Sequence, residues 1–68
     1  MMVWKVIANF IDKKGIKQST LAQKTGLSQQ AICNLLKGNR NIEIEEYIKI
    51  CDVLEVSYDY FIELSKAA

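Results

Sequence analysis

The feature that most constrains this chain is the spacing of its three glycines, Gly15, Gly26 and Gly38, in a sequence that contains no proline. They divide the first 40 residues into blocks of about eleven residues. Glycine commonly follows the last residue of a helix, and a block of this length suits a helix of about three turns. The spacing therefore predicts short helices that end near each glycine.

Apolar periodicity places the first two helices. Val3, Ile7 and Phe10 recur at the spacing of one helical face, and Lys13 and Lys14 follow before the first glycine. Cations are favourable at a helix C-terminus, so we predict that helix 1 ends there. Helix 2 is predicted over 18–25, with Leu21 and Ala22 facing inward.

Three further helices are predicted after Gly26. Ser28 is a suitable N-cap for helix 3, and Ile32, Leu35 and Leu36 follow it at helical spacing. A 3.6-residue period predicts a buried face on helix 4, formed by Ile44, Tyr47, Ile48, Cys51 and Leu54. Ser57 followed by Asp59 predicts the start of helix 5, anchored by Phe61, Ile62 and Leu64. No alternating strand pattern competes, so we expect an all-α fold in one domain over residues 1–68.

Composition excludes several classes of function. The chain has no histidine, no glycine-rich phosphate loop and no cluster of metal ligands, so we expect neither an enzyme nor a bound metal or cofactor. Cys33 and Cys51 lie in apolar helical patterns, which favours reduced thiols that act as small hydrophobic side chains. No secretory signal or membrane span is evident, and we expect a cytoplasmic protein.

The net charge of +1 conceals a strong asymmetry. Residues 1–40 carry seven cations and one anion, whereas residues 41–68 carry two cations and seven anions. Such a distribution suits a molecule that presents a basic face to phosphate and an acidic face away from it. Two ordinary solvated surfaces would give the same count, so charge alone leaves both interpretations open.

Residues 18–37 have the spacing of a helix-turn-helix. Ala22 is small where two helices cross, and Gly26 occupies the turn, where a Cβ atom would be costly. Apolar residues at 21, 27, 32 and 35 would fix the crossing angle and leave one face of helix 3 polar. That face presents Gln29, Gln30 and Asn34, whose amides can pair with adenine in the major groove.

With these residues the chain resembles the Cro and C1 type regulators, the lambdoid phage repressors and their bacterial relatives. The resemblance extends to the segment 15–18, to Gly38 and to the segment 50–57. It implies a compact five-helix fold of the lambda-repressor type that binds double-stranded DNA in the cytoplasm or nucleoid. It also implies that the base-reading residues are Ser28, Gln29, Gln30 and Asn34, and that the DNA backbone is contacted by Lys17, Gln18, Lys37, Asn39 and Arg40.

The sequence departs from that family at three positions. Many relatives have an ion pair between an arginine late in helix 1 and a glutamate near the end of helix 3, and the corresponding residues here are Ile11 and Leu36. We expect an apolar contact to replace the pair, a change that is neutral or stabilising when both partners change together. Ile42 replaces the usual proline before helix 4, which predicts a less rigid loop.

Further apolar residues lie on helix 1 and around helix 5, namely Trp4, Tyr58, Tyr60 and Leu64. They would either cover the rim of a small core or form a dimer interface. A homodimer doubles the base contacts of a single helix-turn-helix, which favours a repressor of a pseudo-palindromic operator. A protein-docking module with the same fold, such as an antitoxin or a regulator that binds a protein partner, is the alternative hypothesis.

Overall fold

The structure, a computed structural model, describes residues 3–67. Within this range the chain forms five α-helices and no β-strand: α1 Val3–Lys14, α2 Gln18–Thr25, α3 Gln29–Leu36, α4 Ile44–Leu54 and α5 Tyr60–Ala67. The predicted all-α fold with five helices is confirmed. None of these helices combines the length and the apolar character needed to cross a bilayer.

The ends of α2 and α3 follow the predicted chemistry. Gly26 adopts a left-handed conformation with a φ of 79°, and its N–H donates to the carbonyl of Ala22. Ser28 is extended and its hydroxyl accepts a hydrogen bond of 3.1 Å from the N–H of Ala31. The turn between the two helices is therefore set by a glycine at one end and an N-cap at the other.

The helices enclose one cluster of buried side chains. α2 packs against α3 and α4, while α1 packs against α3 and α5. The cluster is formed by Ile7, Ile11, Leu21, Ala22, Ile32, Leu35, Leu36, Tyr47, Ile50, Cys51 and Phe61. Ile11 and Leu36, which stand where relatives carry an ion pair, are both in this core. The core thus needs no buried charge at these positions.

The fourth and fifth helices differ from the prediction in detail. Ile44 is the first residue of α4 and is 70% exposed, although it shares the helical period of the buried Tyr47 and Cys51. Phe61 is the fully buried anchor of α5, whereas Ile62 and Leu64 are 38% and 41% exposed. α5 begins at Tyr60, later than the predicted start at Ser57 to Asp59. A turn precedes it, in which the N–H of Tyr60 donates to the carbonyl of Ser57.

Candidate nucleic-acid interface

The exposed face of α3 is built by the helical spacing of its polar residues. Gln29 and Gln30 are exposed and Asn34 is half-buried. The amide of Gln30 donates to the Oδ1 of Asn34 over 3.5 Å, which is the geometry of two residues one turn apart on the same face. The apolar residues of α3 point the other way into the core. The structure therefore brings the three amide-bearing residues named from the sequence onto one accessible helix face.

Ser28 has a different immediate role from the amides. Its hydroxyl oxygen caps α3 by accepting from Ala31, so one of its lone pairs is already used. A hydroxyl also carries a proton, and this donor is not used in the cap. Ser28 can thus cap the helix and donate to an acceptor in front of α3 at the same time.

The N-terminus of α2 presents unused hydrogen-bond donors. Lys17 occupies the N-cap position without a side-chain cap, and the first helical bond is donated by Leu21 to the carbonyl of Lys17. The N–H groups of the preceding turn have no helical partner, and the helix dipole makes this end positive. Lys17 and Gln18 are both exposed beside these groups. The arrangement suits an anion such as a DNA phosphate.

The loop after α3 carries the remaining predicted backbone contacts. Lys37 and Asn39 are exposed, and the N–H of Asn39 donates to the carbonyl of Asn34 over 2.9 Å. This bond holds the start of the loop against the end of α3. The two polar side chains are therefore presented next to the exposed helix face.

Arg40 is not free, which the sequence did not indicate. Its Nη2 donates to the Oε2 of Glu46 over 2.5 Å, and the two side chains are 34% and 12% exposed. The second oxygen of Glu46 accepts from the N–H of Glu43, which completes a capping box at the start of α4. Arg40 would therefore meet a ligand while its guanidinium is paired with Glu46.

The electrostatic character of this surface follows from the residues that it lacks. No aspartate or glutamate occurs between Lys13 and Ile42, a stretch that includes all of α2 and α3. Lys17, Lys24 and Lys37 are exposed within it. Apart from Asp12 on α1, the acidic residues lie on or beside α4 and α5, so the predicted separation of charge corresponds to different elements of the fold.

Trp4 lies apart from the other residues that we assigned to a dimer interface. A Cβ atom built on Gly38 would be 2.6 Å from Cε2 and Cζ2 of Trp4, so the indole covers the glycine at the end of α3. At about 100° per residue, this side of α1 is roughly opposite the side that carries Val6 and Phe10. Tyr60 and Leu64 line a hollow with that opposite side. Trp4 therefore does not share a surface with them.

An exposed apolar surface surrounds α5. The ring of Tyr60 packs edge-on against Phe10 with centroids 5.8 Å apart, yet Tyr60 remains 38% exposed. Tyr58 is 52% exposed, and its hydroxyl donates to Asp52 over 2.8 Å. Sequence reasoning missed a second part of this surface, where Ile44 and Ile62 line a hollow together with Val3, Ile42 and Tyr47. The sequence pattern assigned Ile44 and Ile62 to the core. Only the packing of the folded chain shows that both side chains are exposed.

Three further side chains, those of Cys33, Cys51 and Tyr47, are partly or fully buried. Cys33 is half-buried on α3, and Cys51 is buried in the core. Burial raises the pKa of the Cys51 thiol, which keeps it protonated. Burial likewise raises the pKa of Tyr47 to about 12, and the hydroxyl of Tyr47 donates to the carbonyl of Tyr58. Tyr47 thus links α4 to the segment that precedes α5.

The chain matches a known protein family. A family model described as helix-turn-helix matches residues 7–61, which is most of the chain and includes α2, the turn and α3. Comparisons with curated proteins and with solved structures gave no match.

Proposed function

Because this chain belongs to the Cro/C1-type helix-turn-helix family, which is a family of DNA-binding regulators, we propose that it is a transcriptional repressor that binds a pseudo-palindromic operator as a homodimer. The observation that carries the proposal is the exposed amide face of α3 on a helix pair without acidic residues. An α-helix fits the major groove of DNA. Because α2 and α3 carry no carboxylate, this helix pair does not repel the DNA phosphates.

Base reading is assigned to Gln29, Gln30 and Asn34, with Ser28 donating from the N-cap. Glutamine and asparagine can each form paired hydrogen bonds with the N6 and N7 of adenine. In the free protein the amides of Gln30 and Asn34 contact each other at a long 3.5 Å, so little is lost when both turn to a base. Gln29 has the greatest freedom, because it is exposed at the first position of α3.

Backbone contacts place α3 in register. The uncapped N-terminus of α2, with Lys17 and Gln18, would bind one phosphate. Lys37, Asn39 and Arg40 would bind the backbone on the other side of α3. Two anchored ends fix the helix along the groove, so that base contacts decide the sequence that is bound.

The homodimer is assigned to the exposed apolar surface around α5. Tyr58, Tyr60 and Leu64 belong to the proposed interface, and Ile44 and Ile62 extend it on the other side of the buried Phe61. Five large apolar side chains are exposed among residues 3–66, and exposed apolar side chains that cluster are typical of protein–protein contact sites. A two-fold pair would place its half-sites about one helical turn apart.

The experiment that tests the proposal is selection of bound sequences from a pool of random duplexes at physiological salt. We expect a two-fold symmetric consensus, and we expect its affinity to fall steeply as salt is raised, because phosphate contacts release counterions. Sedimentation of the protein with the consensus duplex should give two chains per duplex. Failure to enrich any sequence, with the protein folded, would favour a module that docks to another protein through the same face.

The matched variants are Gln29→Ala and Gln23→Ala. Gln23 is exposed on α2, on the side opposite the buried Leu21, Ala22 and Thr25, and serves as the control. We expect Gln29→Ala to weaken consensus binding by about 1 to 3 kcal/mol and to relax preference at one base pair. Gln23→Ala should leave the preference unchanged. Equal weakening of consensus and scrambled duplexes by Gln29→Ala would show that Gln29 does not read a base.

A further inference from the structure

We propose that Glu46 is a specificity-determining residue, which acts by holding Arg40 in a fixed position beside α3 and by neutralising its charge toward non-cognate DNA. This inference rests on the proposed DNA-binding function. Glu46 lies on α4, on the acidic part of the chain, and no sequence motif marked it as part of the interface.

The contacts of Glu46 divide between two tasks. Its Oε1 accepts from the N–H of Glu43 over 3.1 Å and caps α4, and its Oε2 accepts from Arg40 over 2.5 Å. The carboxylate is therefore held at both oxygens and is only 12% exposed. A carboxylate that is fixed in this way holds its partner more firmly than an exposed one, whose ion pair is weak and mobile.

The pair leaves Arg40 with donors to spare. A guanidinium has five N–H donors, and the structure uses one nitrogen, Nη2, toward Glu46. The side chain is 34% exposed, so its remaining edge is accessible to a phosphate oxygen. The same residue can thus bind Glu46 on one edge and DNA on the other.

Neutralisation and fixed geometry together favour specificity over affinity. A mobile, unpaired arginine adapts to any phosphate and strengthens binding to every duplex. An arginine held by Glu46 contributes little long-range attraction, and it contacts a phosphate only where the docking of α3 brings one to its position. Removing the charge of Glu46 should therefore strengthen binding to non-cognate DNA more than binding to the operator.

The test compares Glu46→Gln with Glu45→Gln, which makes the same change in net charge at an exposed neighbour that has no ion pair with any residue the structure describes. Glutamine at position 46 can still accept from Glu43, so the cap is preserved. The probes are a scrambled duplex of about 30 base pairs and a duplex of equal length that carries the selected consensus.

For Glu46→Gln we expect the affinity for the scrambled duplex to rise roughly two- to fivefold, which corresponds to the ordinary range of such an ion pair. For the scrambled duplex, the slope of log affinity against log salt should steepen by about 0.9, because Arg40 then contacts phosphate as one additional cation. The ratio of consensus to scrambled affinity should fall. Glu45→Gln should change neither the salt slope nor the ratio.

The same measurements are repeated with Glu46→Gln in a protein that also carries Arg40→Ala. If Glu46 acts through Arg40, the effect of Glu46→Gln on the salt slope disappears in the double variant. An effect that persists there, or an equal effect of Glu45→Gln, overturns the proposal in favour of general electrostatics. A merely structural role of Glu46 would lower stability without steepening the salt slope.

A cycle of urea unfolding on the free protein separates this proposal from the function on which it rests. Coupling between Arg40→Ala and Glu46→Gln is expected, because the pair is present without DNA. Coupling with no effect of Glu46→Gln on DNA binding overturns the role in specificity while the proposed function stands. If the wild-type protein binds neither duplex in a salt-dependent way, the proposed function fails and the role of Glu46 in DNA binding fails with it.

Discussion

The contact between Trp4 and Gly38 gives a quantitative prediction for Gly38→Ala. Gly38 has a φ of 75°, a conformation that costs an alanine about 1 to 2 kcal/mol. The new Cβ would also be 2.6 Å from two carbons of the indole, whereas an ordinary carbon contact is about 3.5 to 4.0 Å. The ring must therefore move by about 1 Å, and overpacking of this kind costs about 1 to 3 kcal/mol. The free energy of unfolding should fall by about 2 to 5 kcal/mol in total.

Gly26→Ala is the matched control for this prediction. Gly26 has a similar φ of 79°, and nothing lies within 4 Å of the Cβ that alanine would add. Gly26→Ala should lower the free energy of unfolding only by the cost of placing alanine at a positive φ, about 1 to 2 kcal/mol. The difference between the two variants therefore measures the contact with Trp4.

The assay is urea unfolding followed by far-ultraviolet circular dichroism, with tryptophan fluorescence as a second probe. Trp4 is the sole tryptophan, so a shift in native fluorescence reports movement of this ring. In a Trp4→Ala background, Gly38→Ala should lose its excess cost over Gly26→Ala. Equal costs for the two glycine variants in the wild-type background, or an excess that survives removal of the indole, would refute the steric argument.

Two further predictions concern α4. Glu55 ends this helix in a left-handed conformation with a φ of 58°, so Glu55→Gly should raise the free energy of unfolding by about 1 kcal/mol in a thermal or urea titration, whereas Glu55→Ala, which keeps the Cβ, should not. The pKa of Tyr47 is raised from 10.0 to about 12, so the folded protein keeps this proton at pH values where the unfolded chain releases it, and stability falls as pH rises through this interval. The stability advantage of the wild-type protein over Tyr47→Phe should shrink by at most about 1.4 kcal/mol per pH unit above pH 10, and a difference that stays constant to pH 12 would contradict this reasoning.

The first three helices were predictable because their signals are local. Each ends near a glycine with positive φ, and Ser28 caps α3 with the hydrogen bond that its position in the sequence suggests. Such signals involve residues at most four positions apart, so no knowledge of tertiary packing is needed. The amide face of α3 was predictable for the same reason, since helical periodicity alone separates it from the buried side.

The later helices were less predictable because packing overrides periodicity at their ends. Ile44 matches the apolar period of α4 but is its first residue and lies largely in solvent. α4 ends at Leu54 and its C-cap is Glu55 instead of a glycine, so no local signal marks its C-terminus. Ile62 and Leu64 were both expected to anchor α5, yet Phe61 alone among these three fills the core and the other two lie on either side of it.

The long-range contacts beside the candidate interface could not be predicted. The indole of Trp4 covers Gly38, which is 34 positions later in the chain. Arg40, in the loop after α3, binds Glu46 in the first turn of α4. Neither pair follows a spacing rule, because each depends on the path of the loop between α3 and α4. For the loop itself, the sequence predicted only that it would be less rigid at Ile42.

These same contacts explain how the loop before α4 is ordered at Ile42 without a proline. A proline restricts the unfolded chain and makes ordering less costly in entropy. Here the loop is instead held by folded-state contacts: Trp4 over Gly38 at its start, and Glu46 bonded to Arg40 and Glu43 at its end. Since Trp4 belongs to α1, the position of the loop depends on the docking of α1. We therefore expect a change that loosens the first turn of α1 to displace Lys37, Asn39 and Arg40 without altering any residue that we propose to contact DNA.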